Sequence, residues 1–361
     1  IWERFWTQDI LESAWFPKTG TWLPFGSAAY LADVKRADIT QSRRLLDETI
    51  ARCQTDQQRA RAQLLEKAFQ YYEASALAYQ AQPQLAPVRT DTEENALAAV
   101  DQAVEGMAMA SKRRTLALEE FEEHPVLVHP LPPSRYGGVS GDSWGTGGLW
   151  AVADWLRRGD NAVRRRVSEL AEQSDTPIVR EQASMVLAIV DGTAELASGN
   201  HSFEEGDGAA ATGWSFWRKP DTGEAPPIGT MARSTDVAHD GQYSVLCDAM
   251  MRGGPVHTMA FPGPGRYVAL AWVYTPEDQV SNGTVELSVT PLDQDGRNMS
   301  GYSTKMQPEA GEWQLMVVGM DLPAAVGEKQ IARLRLVPIV DGFDKDAGKV
   351  YFDEVGLYRV Q

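Results

Sequence analysis

Apolar residues in the first half of the chain recur at three- and four-residue steps. In "DQQRARAQLLEKAFQYYEASALAYQ", Leu65, Phe69, Tyr72, Ala76 and Tyr79 fall on one stripe, and Leu97, Val100, Val104 and Met107 repeat it. That period predicts helices with one face on a core. Start signals accompany it: Ser27 before a helix through Lys35, Thr40 before "QSRRLLDETIARC", Thr55 before the long helix, and Asp91 or Thr92 before the next. Shorter helices are predicted over 148–158, 161–172 and 176–190. Antiparallel helices packed as a bundle satisfy the pattern.

Beyond Gly199 the period shortens to two. "GTVELSVT" places Val285, Leu287 and Val289 on one face, and "EWQLMVVGM" does the same with Trp313, Leu315 and Val317. "IARLRLVP" sets Leu334 and Leu336 against Arg333 and Arg335. "GQYSVLCDAM", "RYVALAWVY" and "KVYFDEVGLY" complete a set of short strands between turn signals. The prediction is a multidomain chain, α then β: a helical bundle over 1–197, then an antiparallel β-sandwich of jelly-roll, galactose-binding-like type over 198–361.

Composition narrows the function classes. The chain has 361 residues and a formal net charge of -16, which argues against nucleic acid or an anionic membrane as partner. A neutral polar ligand or an acidic metal site stays compatible. Cys53 and Cys247, in different predicted domains, make neither a disulfide framework nor a zinc motif. No apolar run approaches the roughly 20 residues of a membrane span.

Two carboxylates stand out in the predicted sandwich. Tyr351, Asp353, Val355 and Leu357 share one parity, so without a bulge Asp353 points to the core side, where a carboxylate must be paired or bind a metal. Glu204 follows Phe203, a natural core anchor. Together with backbone carbonyls they would make a hard oxygen site suited to calcium.

"NHSFEEG", "HDGQYSVLCD", "PGRYVALAWVY" and "VYFDEVGLY", in that order, resemble segments of calcium-containing, jelly-roll carbohydrate-binding modules of the xylan- and glucan-binding type. The resemblance implies structural calcium on Glu204 and Asp353, with the carbonyl of Gln242 as a third ligand. It also raises sugar binding. Trp214, Trp217, Trp272 and Tyr302 are rings able to stack on a sugar face, and of these Trp272 lies in an apolar strand and reads as core.

The helical half carries a second resemblance. "IWERFW", "LLDETIARCQTDQQRARAQLLEKAFQYYE" and "WAVADWLRRGDNAVRRRVSELAE" are similar to the helical region after the catalytic barrel in bacterial glycoside hydrolases of the α-glucuronidase-like barrel family that includes endo-β-N-acetylglucosaminidases. The resemblance implies that an N-terminal catalytic barrel precedes Ile1, that the catalytic carboxylates lie in it, and that the protein is secreted or periplasmic. Trp2, Trp6, Trp15 and Trp22 then read as core or as an interface to that barrel. The alternative is a self-contained carbohydrate-binding or interaction protein without catalysis.

"GDSWG" at 141–145 matches G-x-S-x-G, but a nucleophile elbow needs a buried strand before the serine and a helix directly after it. Prolines and paired glycines precede Ser143, and Asp236 and His239, which could complete a triad in chain order, fall in the predicted sandwich. The segment reads instead as a long loop, and such loops often carry function. Arg135, Tyr136, Asp142 and Trp144 in it, with Ser143, offer planar donors, a carboxylate and a stacking ring for a sugar. The bland reading, that this loop only packs the two domains together, fits equally well.

Overall fold

The computed structural model describes residues 31, 33–81, 89–116, 148–219, 229–278, 283–342 and 348–360. The chain divides into two compact units: Ile1–Trp144 with Asp154–Ser184, and Gly145–Ala153 with Met185–Gln361.

Six α-helices occur among the described residues: α1 (Arg36–Ala51), α2 (Asp56–Gln80), α3 (Glu93–Thr115), α4 (Ala153–Arg157), α5 (Ala162–Gln173) and α6 (Pro177–Val190). Local side chains start three of them. Thr55 and Gln58 form a reciprocal capping box at α2, Thr92 accepts the Asn95 amide at α3, and Asn161 accepts the Arg164 amide at α5. α2 packs on α1 and α3, and α3 on α5. Small residues supply much of the buried surface of both helices: Ala74, Ala76 and Ala78 on α2, and Ala96, Ala99, Ala103, Gly106 and Ala110 on α3, are all buried. Phe69, Tyr79, Val100 and Met107 add bulk.

Three helical expectations change. α1 begins at Arg36 behind Lys35, which offers no side-chain cap, and the Thr40 hydroxyl instead donates to the Arg36 carbonyl. Leu65 is 61% exposed, because the small residues of α2 make the tight contacts. Residues Gly148–Val152 form a 3-10 segment ahead of α4. Ser27 lies outside the described residues.

The second unit is a sandwich of antiparallel strands: β1 (Glu195–Leu196), β2 (Gly206–Asp207), β3 (Ala210–Ala211), β4 (Ser215–Arg218), β5 (Thr230–Ser234), β6 (Ser244–Asp248), β7 (Arg252–Ala260), β8 (Gly265–Tyr274), β9 (Thr284–Leu292), β10 (Tyr302–Met306), β11 (Gln314–Leu322), β12 (Ala325–Val326), β13 (Lys329–Gln330), β14 (Arg333–Asp341) and β15 (Lys349–Val360). One sheet runs β11-β8-β15-β6-β5, with β1 also on β15, and the other runs β10-β9-β14-β7-β4. Neighbours in space are mostly not neighbours in sequence, as a jelly roll requires.

The core sits between the sheets. Val245, Cys247, Ala269, Ala271, Val273, Met316, Val318 and Phe352 from the first meet Val285, Leu287, Val289, Leu334 and Leu336 from the second. The alternation read in β9 and β14 therefore holds. In β11 the inward set is Met316, Val318 and Met320, so Leu315 and Val317 face the outer side, where the 3-10 segment Gly148–Val152 lies against the strand.

β15 departs from simple alternation. Its register against β8 shifts between Asp353 and Gly356, and Glu354 has φ +46°. This bulge turns both Phe352 and Val355 inward. Asp353 is thereby moved off the core face and set opposite Trp272, which is buried on the outer side of the sheet rather than in the core.

Candidate functional site

The turn 235–243 between β5 and β6 collects the costly carboxylates. The amides of His239 and Asp240 donate to Asp353 Oδ2 at 2.7 and 3.1 Å, and the Glu354 amide donates to Oδ1 at 2.7 Å. The amides of Gln242 and Tyr243 donate to Glu204 Oε1 at 2.8 and 2.9 Å. Gly241, just before them, has φ +69°, and a Cβ there would fall 2.4 Å from Glu204 Oε1, so both conformation and space call for glycine.

Asp353 is 0% exposed, and burial pushes its carboxyl up to about 7, against the pull of the three amides and with the nearby Glu354 adding to the rise. His239 fixes the turn from above. Its ring stacks on Trp272 at 3.8 Å between centroids, and its Nδ1 lies 2.6 Å from Glu354 Oε2. Trp313 meets the same ring edge-on, and Tyr274 and Tyr351 continue the aromatic row. Asp236 accepts the Tyr351 hydroxyl at 3.3 Å, and the partner of His239 Nδ1 is Glu354. That pairing is not the Asp–His half of a hydrolase triad.

Arg233 was not signalled by the sequence. Its guanidinium donates to the carbonyls of Phe203 and Glu204 and lies over the Tyr243 ring. Glu204, Gln242 and Asp353 are thus gathered by one turn. As it stands, the amide of Gln242 rather than its carbonyl faces Glu204. Among the described residues no group of three or more His, Cys, Asp or Glu side chains is placed to hold a metal. The two carboxylates still suit a hard cation in donor type, and the raised Asp353 shows that three amides under-compensate its burial.

The outer face of the β10-β9-β14-β7-β4 sheet is a second site. Trp217 on edge strand β4 is 38% exposed, while its neighbour Phe216 packs toward the core. Trp217 stands opposite Gly254 of β7, whose lack of a side chain is dictated by Pro338: a Cβ there would fall 1.8 Å from the Pro338 carbonyl oxygen. Across the sheet the same row reaches Ile339, Glu286 and Lys305, the last two paired at 2.9 Å. The next row holds Ser215, Val256, Val337, Ser288 and Ser303, and Arg335 is hydrogen-bonded to Asn298. The face therefore offers one exposed ring, a floor of short side chains, and polar groups at its far side.

Trp214 does not join that face. It is 9% exposed, packs on Phe203 at 5.0 Å and donates from Nε1 to the Asn200 carbonyl at 2.9 Å. The expectation that it stacks on sugar is corrected on that ground. Tyr302 likewise packs against the core. Trp2, Trp6, Trp15, Trp22, Arg135, Tyr136, Asp142, Ser143 and Trp144 lie outside the described residues. No helix among the described residues is long and apolar enough to cross a membrane.

No family model and no curated protein matches the chain. Solved structures with some similarity include the enzymatically active domain of tailspike protein 4 from bacteriophage CBA120, at 16% identity and TM-score 0.36, covering 46% of this chain and 21% of that one. Another is the CBM22-1 xylan-binding domain from Paenibacillus barcinonensis, at 16% identity and TM-score 0.32, covering 45% of this chain and 92% of that one. A third is a CBM61 module in complex with β-1,4-galactotriose, at 17% identity and TM-score 0.31, covering 46% of this chain and 99% of that one. Likeness at this level carries no argument about ligand or chemistry.

Proposed function

We propose that the sandwich is a carbohydrate-binding module that holds a neutral glycan chain on the outer face of the β10-β9-β14-β7-β4 sheet. The observation that carries this reading is Trp217, an exposed ring on the outer side of edge strand β4. A sugar's C–H face can lie on the indole while Glu286, Lys305, Ser288 and Arg335 meet its hydroxyls. Titrating a panel of soluble β-glucans, xylans and galactans against wild type and Trp217→Ala tests it. The expected result is saturable binding of at least one glycan, weakened about tenfold or more in the variant, equivalent to ~1.4 kcal/mol. Unchanged affinity in a folded variant, or no binding to the panel, removes the reading.

We further propose that Glu204 and Asp353 take a structural calcium ion, the rest of its shell being carbonyls of the turn and water. A ligand held only by the folded state at 100 times its Kd stabilises by about 2.7 kcal/mol. Millimolar calcium should raise the midpoint of thermal unfolding by several degrees, chelator should reverse the rise, and Glu204→Gln should abolish it. A midpoint indifferent to calcium and chelator means that the amides alone hold both carboxylates.

The placement of this chain within a secreted bacterial glycan-degrading enzyme, behind a catalytic barrel, is supported by the sequence resemblance of residues 1–197. On that reading the described residues position and capture glycan, and contribute no catalytic carboxylate.

A further inference from the structure

The helical unit contains a cation that the glycan reading does not use. Arg113, in the last turn of α3 between Lys112 and Arg114, is 6% exposed. Its Nε and Nη1 have no hydrogen-bond partner. The guanidinium carbon lies 5.4 Å from the centre of the Tyr71 ring and 5.7 Å from that of Tyr79. Tyr71, Ser75 and Tyr79 follow at four-residue steps and so share one face of α2, with Ser75 buried between the rings. Its hydroxyl is spent on the Tyr71 carbonyl, at 2.7 Å.

Ring faces attract the positive charge but accept no N–H in the guanidinium plane. Arginine cannot escape by losing its proton. A buried charged group with unmet donors is costly unless an acceptor arrives. Two of its donors, Nε and Nη1, are unmet, and a small anion that brings acceptor oxygens to them would satisfy both charge and hydrogen bonding. The flanking Lys112 and Arg114 favour an anion locally, in a chain whose net charge of -16 disfavours highly charged ones.

We propose that Arg113, beside Tyr71 and Tyr79, is a binding site for the carboxylate of a small, singly charged ligand. It lies in the other unit from Trp217 and stands or falls separately from glycan capture by the sandwich. The probes are acetate and glucuronate, with glucose and inorganic phosphate beside them. The readouts are thermal unfolding and the Arg113 Nε–H resonance of 15N-labelled full chain, assigned with Arg113→Lys.

Acetate and glucuronate should each raise the midpoint saturably and move the Arg113 resonance, and glucose should do neither. Arg113→Met should lose the ligand effect, and Arg113→Lys, which keeps charge but not the planar donors, should bind at least tenfold more weakly. No saturable change with either carboxylate overturns the proposal, as does an equal midpoint rise in Arg113→Met. A resonance moved by phosphate and not by carboxylates overturns the ligand class. Should Arg113→Met fail to fold, the wild-type resonance decides alone.

Discussion

Asp353 has a pH dependence whose sign follows from its surroundings. Its carboxyl is pushed from 3.8 up to about 7, first by burial. The folded state therefore holds this proton more tightly than the unfolded state does. Stability contributed through Asp353 is present below the unfolded value and is lost as pH rises through the folded one. A shift of this size is worth on the order of 4 kcal/mol at most. In chelator, the unfolding free energy of wild type should fall relative to Asp353→Asn between about pH 5 and 8 and level off above. A difference that is flat, or that rises with pH, would show that the three amides keep Asp353 ionised throughout.

At the scale of elements, what could be read from the sequence was what is decided locally. α2, α3 and α5 start at Thr55, Thr92 and Asn161 because a short polar side chain reaches an amide two or three residues on. α1 has no such cap, and nothing in its local sequence marks Arg36 as its first residue. Large apolar residues announce the stripe of α2, yet alanines make much of its buried face, and Leu65, on the predicted stripe, stays outside the core. Alternation fixed the inward face of β9, whose outward residues are polar, and of the first half of β14, where Arg333 and Arg335 alternate with Leu334 and Leu336. β11 is apolar on both faces and alternation could not say which was inward. The β15 bulge left no local trace, because it arises from pairing with β8 and from the segment before β2, where the His201 carbonyl accepts the Val355 amide at 2.7 Å. The same limit governs the site. Glu204 and Asp353 were conspicuous as carboxylates beside core residues, but Arg233 and His239 acquire their partners only across the fold. Trp214 and Trp217 looked equivalent until strand parity and the Asn200 carbonyl separated them.

At the scale of the whole molecule, the two cysteines report on the two units. Cys53 follows α1 and is partly exposed, while Cys247 is wholly buried in β6, opposite Met231 of β5 and Val350 of β15. Burial pushes the Cys247 thiol well above its usual range, and the thiolate is the reactive form. In native buffer a thiol reagent should modify Cys53 within minutes and Cys247 only as fast as the sandwich opens, which peptide mass spectrometry can follow. The turn 235–243 that carries the carboxylate clamp is the connection between β5 and β6, so Cys247 sits next to the element that calcium would stiffen. Slower labelling of Cys247 in calcium than in chelator, with Cys53 unaffected, would place the ion's effect at that turn. Rapid labelling of Cys247 under native conditions would mean that β5 and β6 part without global unfolding, and that the amides of 239–243 do not hold Asp353 and Glu204 as a fixed clamp.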